Sequence, residues 1–131
     1  TETRPGLRKY KELIVALRNC QKPVIGCLEG AVAGGGVSIG LACDYVLIEK
    51  DAKCVFAFVN IGFIPDMGST TLLANTVSKT RATRLLMLGE RFTGPLIGEC
   101  LTKLWQEKTW KKSLQKLLKS LQTAPQWHIP E

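Results

Sequence analysis

Residues 22–44, KPVIGCLEGAVAGGGVSIGLACD, decide the fold of this 131-residue chain. An apolar run over 23–28 predicts a strand, three glycines at 34–36 predict a sharp turn, and the small residues 37–43 predict a buried helix. Such a turn lets a ligand approach the main chain, and the helix start supplies unpaired N–H groups at the positive end of its dipole. The segment can therefore bind a phosphate, or an oxygen that becomes negative during a reaction.

The glycine spacing argues against a nucleotide phosphate. Gly34, Gly36 and Gly40 do not form G-x-G-x-x-G, and no Lys-Ser or Lys-Thr pair follows them as a P-loop requires. Taken alone, three glycines are equally typical of a tight strand-to-helix turn that serves packing and binds nothing.

A longer pattern surrounds the turn. K-P-V-I-x-x-x-x-G-x-x-x-G-G-G-x-x-x-x-L-A-C-D is followed by D-A-K at 51–53, I-G-F-I-P at 61–65, G-S-T at 68–70, K-T-R-A at 79–82 and L-M-L-G-E-R-F-T-G at 86–94. This pattern resembles the enoyl-CoA hydratase/isomerase (crotonase) superfamily over about residues 7–100. The closest resemblance in pattern is to its enoyl-CoA isomerase branches.

Alternating strand and helix patterns predict an α/β fold. Helices are expected over 6–20, 37–43, 69–75, 79–88 and 101–121, strands over 24–28, 45–48 and 54–56, and a loop over 60–64. The resemblance implies a crotonase-type spiral of ββα units without its N-terminal part. Residues 1–100 would form this partial core with the glycine turn, and 101–131 a C-terminal amphipathic helix with an irregular tail.

The chain is therefore either a remnant of that fold or the ordered part of a longer protein. A half-spiral would expose unpaired strand edges and a large apolar face, which favours the second alternative.

The net charge of +7 is concentrated at the two ends of the chain. Residues 1–22 hold six basic and two acidic groups, and residues 101–122 hold six lysines and one glutamate. No basic motif is interleaved with aromatic residues, so nucleic acid is not an expected partner. The resemblance implies a different anion, the phosphates of coenzyme A. No apolar run is long enough to span a membrane.

The five cysteines indicate a reducing compartment. Their number is odd, they form no C-x-x-C pair, and they occur at Cys20, Cys27, Cys43, Cys54 and Cys100. We expect reduced thiols, several of them buried, no metal ligation and a cytoplasmic location, with an organellar matrix left open.

The resemblance implies an acyl-CoA thioester substrate whose enolate oxygen accepts hydrogen bonds from two backbone N–H groups. One donor would be Gly35, and Ala33, Gly34, Gly35 and Phe58 would contact the substrate. Losing one such donor typically costs about 3 kcal/mol. Coenzyme A would enter as part of the substrate, with no separate cofactor and no metal.

Hydratases of this superfamily carry one glutamate just after the glycines and another about twenty residues later. Ser38 and Phe58 occupy the matching positions here. Ser38 is expected to be a small buried helix residue, and Phe58 to be pocket wall or core. Neither can position and split water, so ordinary hydratase activity is not expected.

Asp66, in Ile-Pro-Asp-Met-Gly, stands where isomerases of the superfamily place an acidic residue. A single carboxylate suffices for a 1,3-proton shift, so Asp66 is the candidate catalytic base. The same residue could instead cap the following helix, and both interpretations stay open. Asp44 is expected to be structural, His128 a surface residue, and Trp105 and Trp110 packing residues.

The resemblance thus implies an acyl-CoA-binding enzyme of fatty acid metabolism, with an isomerase favoured over a lyase of the hydratase type. The alternatives are a hydratase-like enzyme whose acid/base residue lies elsewhere, or a catalytically silent acyl-CoA-binding protein. By analogy with the superfamily, a homotrimer or a dimer of trimers is expected.

Overall fold

The computed structural model describes residues 3–94, 96, 102–105 and 110–123. The helices are α1 (Thr3–Arg18), α2 (Gly35–Ala42), α3 (Ser69–Ala74), α4 (Lys79–Leu88) and α5 (Trp110–Thr123). The strands are β1 (Ile25–Leu28), β2 (Ala31–Ala33), β3 (Tyr45–Glu49), β4 (Lys53–Val55), β5 (Arg91–Thr93) and β6 (Thr102–Trp105). A short 3-10 helix over Val59–Ile61 lies between β4 and α3.

The strands form two three-stranded sheets, ordered β1-β3-β6 and β2-β4-β5. All pairs are parallel except β4 with β5, which is antiparallel. Along the chain, β1 and β2 belong to different sheets, and so do β3 and β4. Helix α2 connects the first pair of strands to the second, which adds one strand to each sheet. This pairing is the one that a spiral of ββα units requires.

Two carboxylates form hydrogen bonds that join β3 to the residues on either side of β1. Asp44, just before β3, accepts a hydrogen bond from the Val24 N–H through Oδ2 at 2.9 Å. Glu49, at the end of β3, accepts one from the Gly30 N–H through Oε2 at 2.9 Å. The predicted structural role of Asp44 is confirmed, although its partner lies twenty residues away rather than beside it in sequence.

The core lies between the β2-β4-β5 sheet and helices α2, α3 and α4. Helix α2 also packs closely on β1, since a Cβ at Gly40 would lie 2.8 Å from Leu28 Cδ1. At the centre, the Phe56 ring stacks on Phe92 with centroids 5.8 Å apart. The buried cluster comprises Val32, Val37, Leu41, Ile48, Ala52, Cys54, Phe56, Phe58, Leu73, Val77, Ala82, Leu85, Leu86 and Phe92.

Most predicted elements are found, with shifted ends. Helix α4 has the predicted bounds, and the expected loop over 60–64 begins as part of the 3-10 helix. Strands β2 and β5 are not among the predicted elements; each is defined by its pairing with β4, which is distant in the chain and has no local signal.

The helix predicted over 101–121 is wrong in its first part. Residues 102–105 form β6, which pairs in parallel with β3, and the helix begins only at Trp110. The order Thr-Lys-Leu-Trp shows no polar/apolar alternation, and pairing with the edge of β3, which supplies hydrogen-bond partners, decides its strand conformation. The division of the chain after residue 100 stays a prediction. The tail over 124–131, with His128, lies outside the described residues, as do the side chains of Trp105 and Trp110.

The four described cysteines are free thiols, of which Cys20 and Cys27 are exposed, Cys43 is half-buried and Cys54 is buried. Of the several buried thiols that the sequence predicts, the described part of the chain contains one, Cys54, and a half-buried one, Cys43. Burial raises the pKa of the Cys43 thiol, and the neighbouring charge of Asp44 raises it further. A raised pKa keeps a thiol protonated and poorly nucleophilic.

Alkaline pH is expected to weaken the fold through Cys54. Burial raises the pKa of this thiol from 9.0 to about 11, so the unfolded chain ionises it at a pH where the folded chain keeps it neutral. The stabilising contribution is fully present below pH 9.0 and is lost as the pH rises to about 11. The melting temperature of the native sequence should fall more steeply over this range than that of Cys54→Ala. Parallel pH profiles for the two proteins would contradict this expectation.

Candidate functional site

The glycine turn joins β2 to α2 and leaves main-chain donors available. Gly34 caps α2 with φ +50° and ψ −117°, a conformation that favours glycine. Its N–H donates to the Val55 carbonyl at 2.8 Å, which ties the turn to β4, and its carbonyl accepts from Val37 and Ser38. Within the described part of the chain, no backbone hydrogen bond begins at the N–H of Gly35 or Gly36. The first turn of α2 therefore presents donors to a ligand.

Phe58 forms one side of this turn. A Cβ at Gly34 would lie 3.7 Å from the Phe58 ring, and Phe58 itself is 9% exposed and belongs to the core. The prediction that Phe58 is pocket wall or core is confirmed, and the ring can move no proton. Ala33, the last residue of β2, is exposed beside the turn. Whether Ala33, Gly34 and Phe58 contact a substrate stays a prediction.

Met67 connects the glycine turn to Asp66. The Met67 sulfur lies against Gly35 so closely that a Cβ at Gly35 would clash with it. Met67 has φ +51°, and the following Gly68 has φ +70°. Positive φ is uncommon for a non-glycine residue and costs about 1–3 kcal/mol, so the surrounding structure must hold Met67 in place. Met67 therefore links the two predicted catalytic residues, since it follows Asp66 in the chain and packs against Gly35.

The Asp66 carboxylate is not used to cap a helix. The N-cap of α3 is Gly68, with no side-chain cap bond, so the capping interpretation is wrong. Ser69 donates through its N–H at 2.9 Å and its hydroxyl at 2.7 Å, but both bonds go to the main-chain carbonyl of Asp66. No hydrogen bond to the carboxylate is formed by the described residues. Backbone groups hold the turn, and the carboxylate remains available for chemistry.

Asp66 lines a cavity of about 340 Å³ between α1 and the turn at residues 66–68. Ile14 and Val15 contribute apolar wall from α1, and Met67 contributes it from the turn. Tyr10 and Lys11 add polar groups. The apolar stripe of α1 was visible in the sequence, but nothing there indicated that this helix faces Asp66. No sequence pattern indicated a role for Met67, because a positive φ is not expected of methionine.

Ser38 lies inside α2 and is fully buried. Its hydroxyl makes no hydrogen bond within the described part of the chain. The prediction of a small buried helix residue is confirmed. Ser38 offers neither a carboxylate nor a partner that could activate its oxygen.

Replacing Ser38 by Ala is expected to stabilise the protein by about 1 kcal/mol, because it removes a buried polar group that has no partner. Ser69→Ala is the matched control. Ser69 is equally buried, but its hydroxyl donates to Asp66 at 2.7 Å, so this change should destabilise by about 1 kcal/mol. Denaturant unfolding of the two variants measures both free energies. An equal loss of unfolding free energy in both variants would show that the Ser38 hydroxyl does have a hydrogen-bond partner.

Metal ligation and membrane insertion find no support in the described residues. No three His, Cys, Asp or Glu side chains among them are grouped so that they could hold a metal ion. None of the described helices combines the length and the apolar character needed to cross a bilayer.

Several known proteins are similar to this chain in sequence. The model of the family described as enoyl-CoA hydratase/isomerase matches residues 5–96. The 1,2-epoxyphenylacetyl-CoA isomerase of Escherichia coli is 35% identical over 121 residues, which are 90% of this chain and 46% of that protein. A probable enoyl-CoA hydratase of Rhodobacter capsulatus is 35% identical over 83 residues, 63% of this chain and 32% of that protein.

The three-dimensional similarity is equally extensive. A crystal structure of an enoyl-CoA hydratase from Mycobacterium avium subsp. paratuberculosis matches with a TM-score of 0.83 and 30% identity, covering 92% of this chain and 51% of that one. The chain spans about half the length, or less, of these relatives. The match over residues 5–96 and the shared ββα topology establish that this chain belongs to the enoyl-CoA hydratase/isomerase family and has a partial crotonase-type fold.

Proposed function

We propose that the protein is an enoyl-CoA isomerase that shifts a double bond by 1,3-proton transfer, with Asp66 as the base. One observation carries this proposal. Asp66 lines a largely apolar cavity, and no described residue hydrogen-bonds to its carboxylate. A carboxylate in this setting can take a proton from a substrate carbon and return it to another carbon of the same molecule.

The reaction needs no second acid. In a 3-enoyl thioester, Asp66 removes a proton from C2, and the electron pair moves into the thioester carbonyl to form an enolate. The electrons then return as the same proton is delivered to C4, which leaves a 2-enoyl thioester and restores the carboxylate. The Gly35 N–H, at the start of α2, would donate to the enolate oxygen. A donor held in advance by a rigid turn typically contributes about 3 kcal/mol to such a step.

The residues near the turn favour an isomerase over a hydratase. Hydration requires groups that position and ionise a water molecule. Ser38 and Phe58, which match the positions of the glutamates in hydratases of the superfamily, are a buried serine and a core phenylalanine. The names of the relatives include isomerases and hydratases alike, so the preference for an isomerase comes from these two side chains.

The reaction products test the proposal. The purified protein is incubated separately with a 3-enoyl-CoA and a 2-enoyl-CoA, and the products are separated by liquid chromatography. We expect conversion of the 3-enoyl to the 2-enoyl thioester, with no 3-hydroxyacyl-CoA. A 3-hydroxyacyl product would make the protein a hydratase. Tight thioester binding without any turnover would make it a silent acyl-CoA-binding protein.

The resemblance to the family also suggests the setting of this reaction. We expect a homotrimer or a dimer of trimers that works in the cytoplasm or an organellar matrix, in fatty acid metabolism. Coenzyme A would enter and leave with the substrate, with no other cofactor and no nucleic-acid partner.

A further inference from the structure

A second cavity, of about 460 Å³, lies between α4 and β5. It shares no lining residue with the cavity at Asp66. Its volume falls within the range of about 300–1,000 Å³ that is usual for small-molecule sites. None of its residues has a role in the reaction proposed above.

Positive charge dominates this cavity. Arg81 and Arg84 lie three residues apart on α4, and Arg91 reaches it from β5. Among the described residues of the lining, Glu90 is the only acidic one, and it pairs with Arg84 at 2.8 Å. The three guanidinium groups therefore exceed the acidic groups by two charges. Because Glu90 compensates the charge of Arg84, Arg81 and Arg91 are the two cations that a bound anion would neutralise.

The remaining lining adds an apolar floor and hydroxyl groups. Leu85 and Phe92 belong to the buried core and close the base of the cavity. Ser78 caps α4, its hydroxyl accepting from the Arg81 N–H at 3.4 Å, so the positive end of the helix dipole opens on the cavity. Arginine presents a planar fork of donors that matches phosphate oxygens in pairs.

We propose that this cavity binds a phosphate monoester, with Arg81 and Arg91 holding the phosphate and the organic group lying over Leu85 and Phe92. The same chemistry could come from two sources. One is the phosphate monoester that coenzyme A itself carries, and the other is a separate small phosphate ester.

Calorimetric titration with phenyl phosphate, at low salt, tests the site. Phenyl phosphate should bind more tightly than either phenol or inorganic phosphate, because only the ester can use both the arginines and the apolar floor. Arg81→Gln and Arg91→Gln should each weaken its binding by about tenfold or more. The unliganded variants should melt at about the same temperature as the native protein, because Arg81 and Arg91 are exposed and form no ion pair with the described residues.

Lys79→Gln is the matched control. Lys79 is exposed on the same helix, and its loss changes the net charge equally, but it does not line the cavity. This variant should bind phenyl phosphate as the native protein does. The proposal would be overturned if Lys79→Gln weakened phenyl phosphate binding as much as the arginine variants do, or if both arginine variants bound phenyl phosphate as tightly as the native protein.

Competition identifies the source of the ester. If coenzyme A displaces phenyl phosphate, and Arg91→Gln weakens the binding of both, the site serves the substrate's own phosphate. If coenzyme A does not displace phenyl phosphate, a separate phosphate ester occupies the site. Both results rest on binding alone, so they stay interpretable if the protein catalyses no isomerisation.

Discussion

Replacing Asp66 by Asn should lower kcat for isomerisation by about 10²–10⁴-fold, because an amide cannot accept and return the substrate proton. The substitution is close to isosteric. It should also leave the fold intact, since both hydrogen bonds from Ser69 go to the main-chain carbonyl of residue 66 rather than to its side chain. We therefore expect an unchanged melting temperature and a thioester affinity within a few-fold of the native value. Initial rates with a 3-enoyl-CoA and calorimetric titration with the 2-enoyl product measure the two quantities.

Asp51→Asn is the control for the loss of one negative charge. Asp51 is exposed in the turn before β4. Its variant should isomerise the substrate at the native rate. Full activity in Asp66→Asn would show that the base is another residue and would refute the proposed mechanism. A lower melting temperature would mean that the carboxylate supports the turn after all.

The parts of the fold that were predictable depend on short-range patterns. The helix over Lys79–Leu88 has a serine cap before it and a glycine with φ +59° after it, so both its ends are marked in the sequence. The glycine turn was recognised because glycine is required there by backbone geometry. Strand β6 was not predicted, since pairing with β3 decides its conformation and the contact is distant in the chain.

For the candidate site, the sequence allowed prediction of the chemical groups but not of their arrangement. Asp66 and Gly35 could be named from the motifs, but whether Asp66 caps a helix depends on the conformation of Met67 and Gly68. Two consecutive residues with positive φ move the start of α3 beyond reach of the carboxylate. The pairing of Met67 with Gly35 and the packing of α1 against the turn are tertiary contacts without a local signal.

Gly35→Ala is expected to reduce kcat/KM by about 10²-fold, because the new methyl group would clash with the Met67 sulfur. To relieve this clash, the first turn of α2 must shift, which misplaces the Gly35 N–H, or Met67, the residue next to Asp66, must move. A displacement of about 1 Å at a reacting centre is enough for a loss of this size. Steady-state kinetics with a 3-enoyl-CoA measure the effect, and circular dichroism establishes that the variant is folded.

Gly36→Ala and a double variant separate this clash from other consequences of losing a glycine. A Cβ at Gly36 would lie 3.5 Å from Val32, an ordinary contact, and alanine is the better helix former. Gly36→Ala should therefore keep native activity and gain slight stability. Combining Gly35→Ala with Met67→Ala removes the side chain that the methyl group meets, so activity should recover relative to Gly35→Ala alone. If the double variant stays as slow as the single one, the clash with Met67 is not the cause, and close packing at this methionine is not what positions the Gly35 donor.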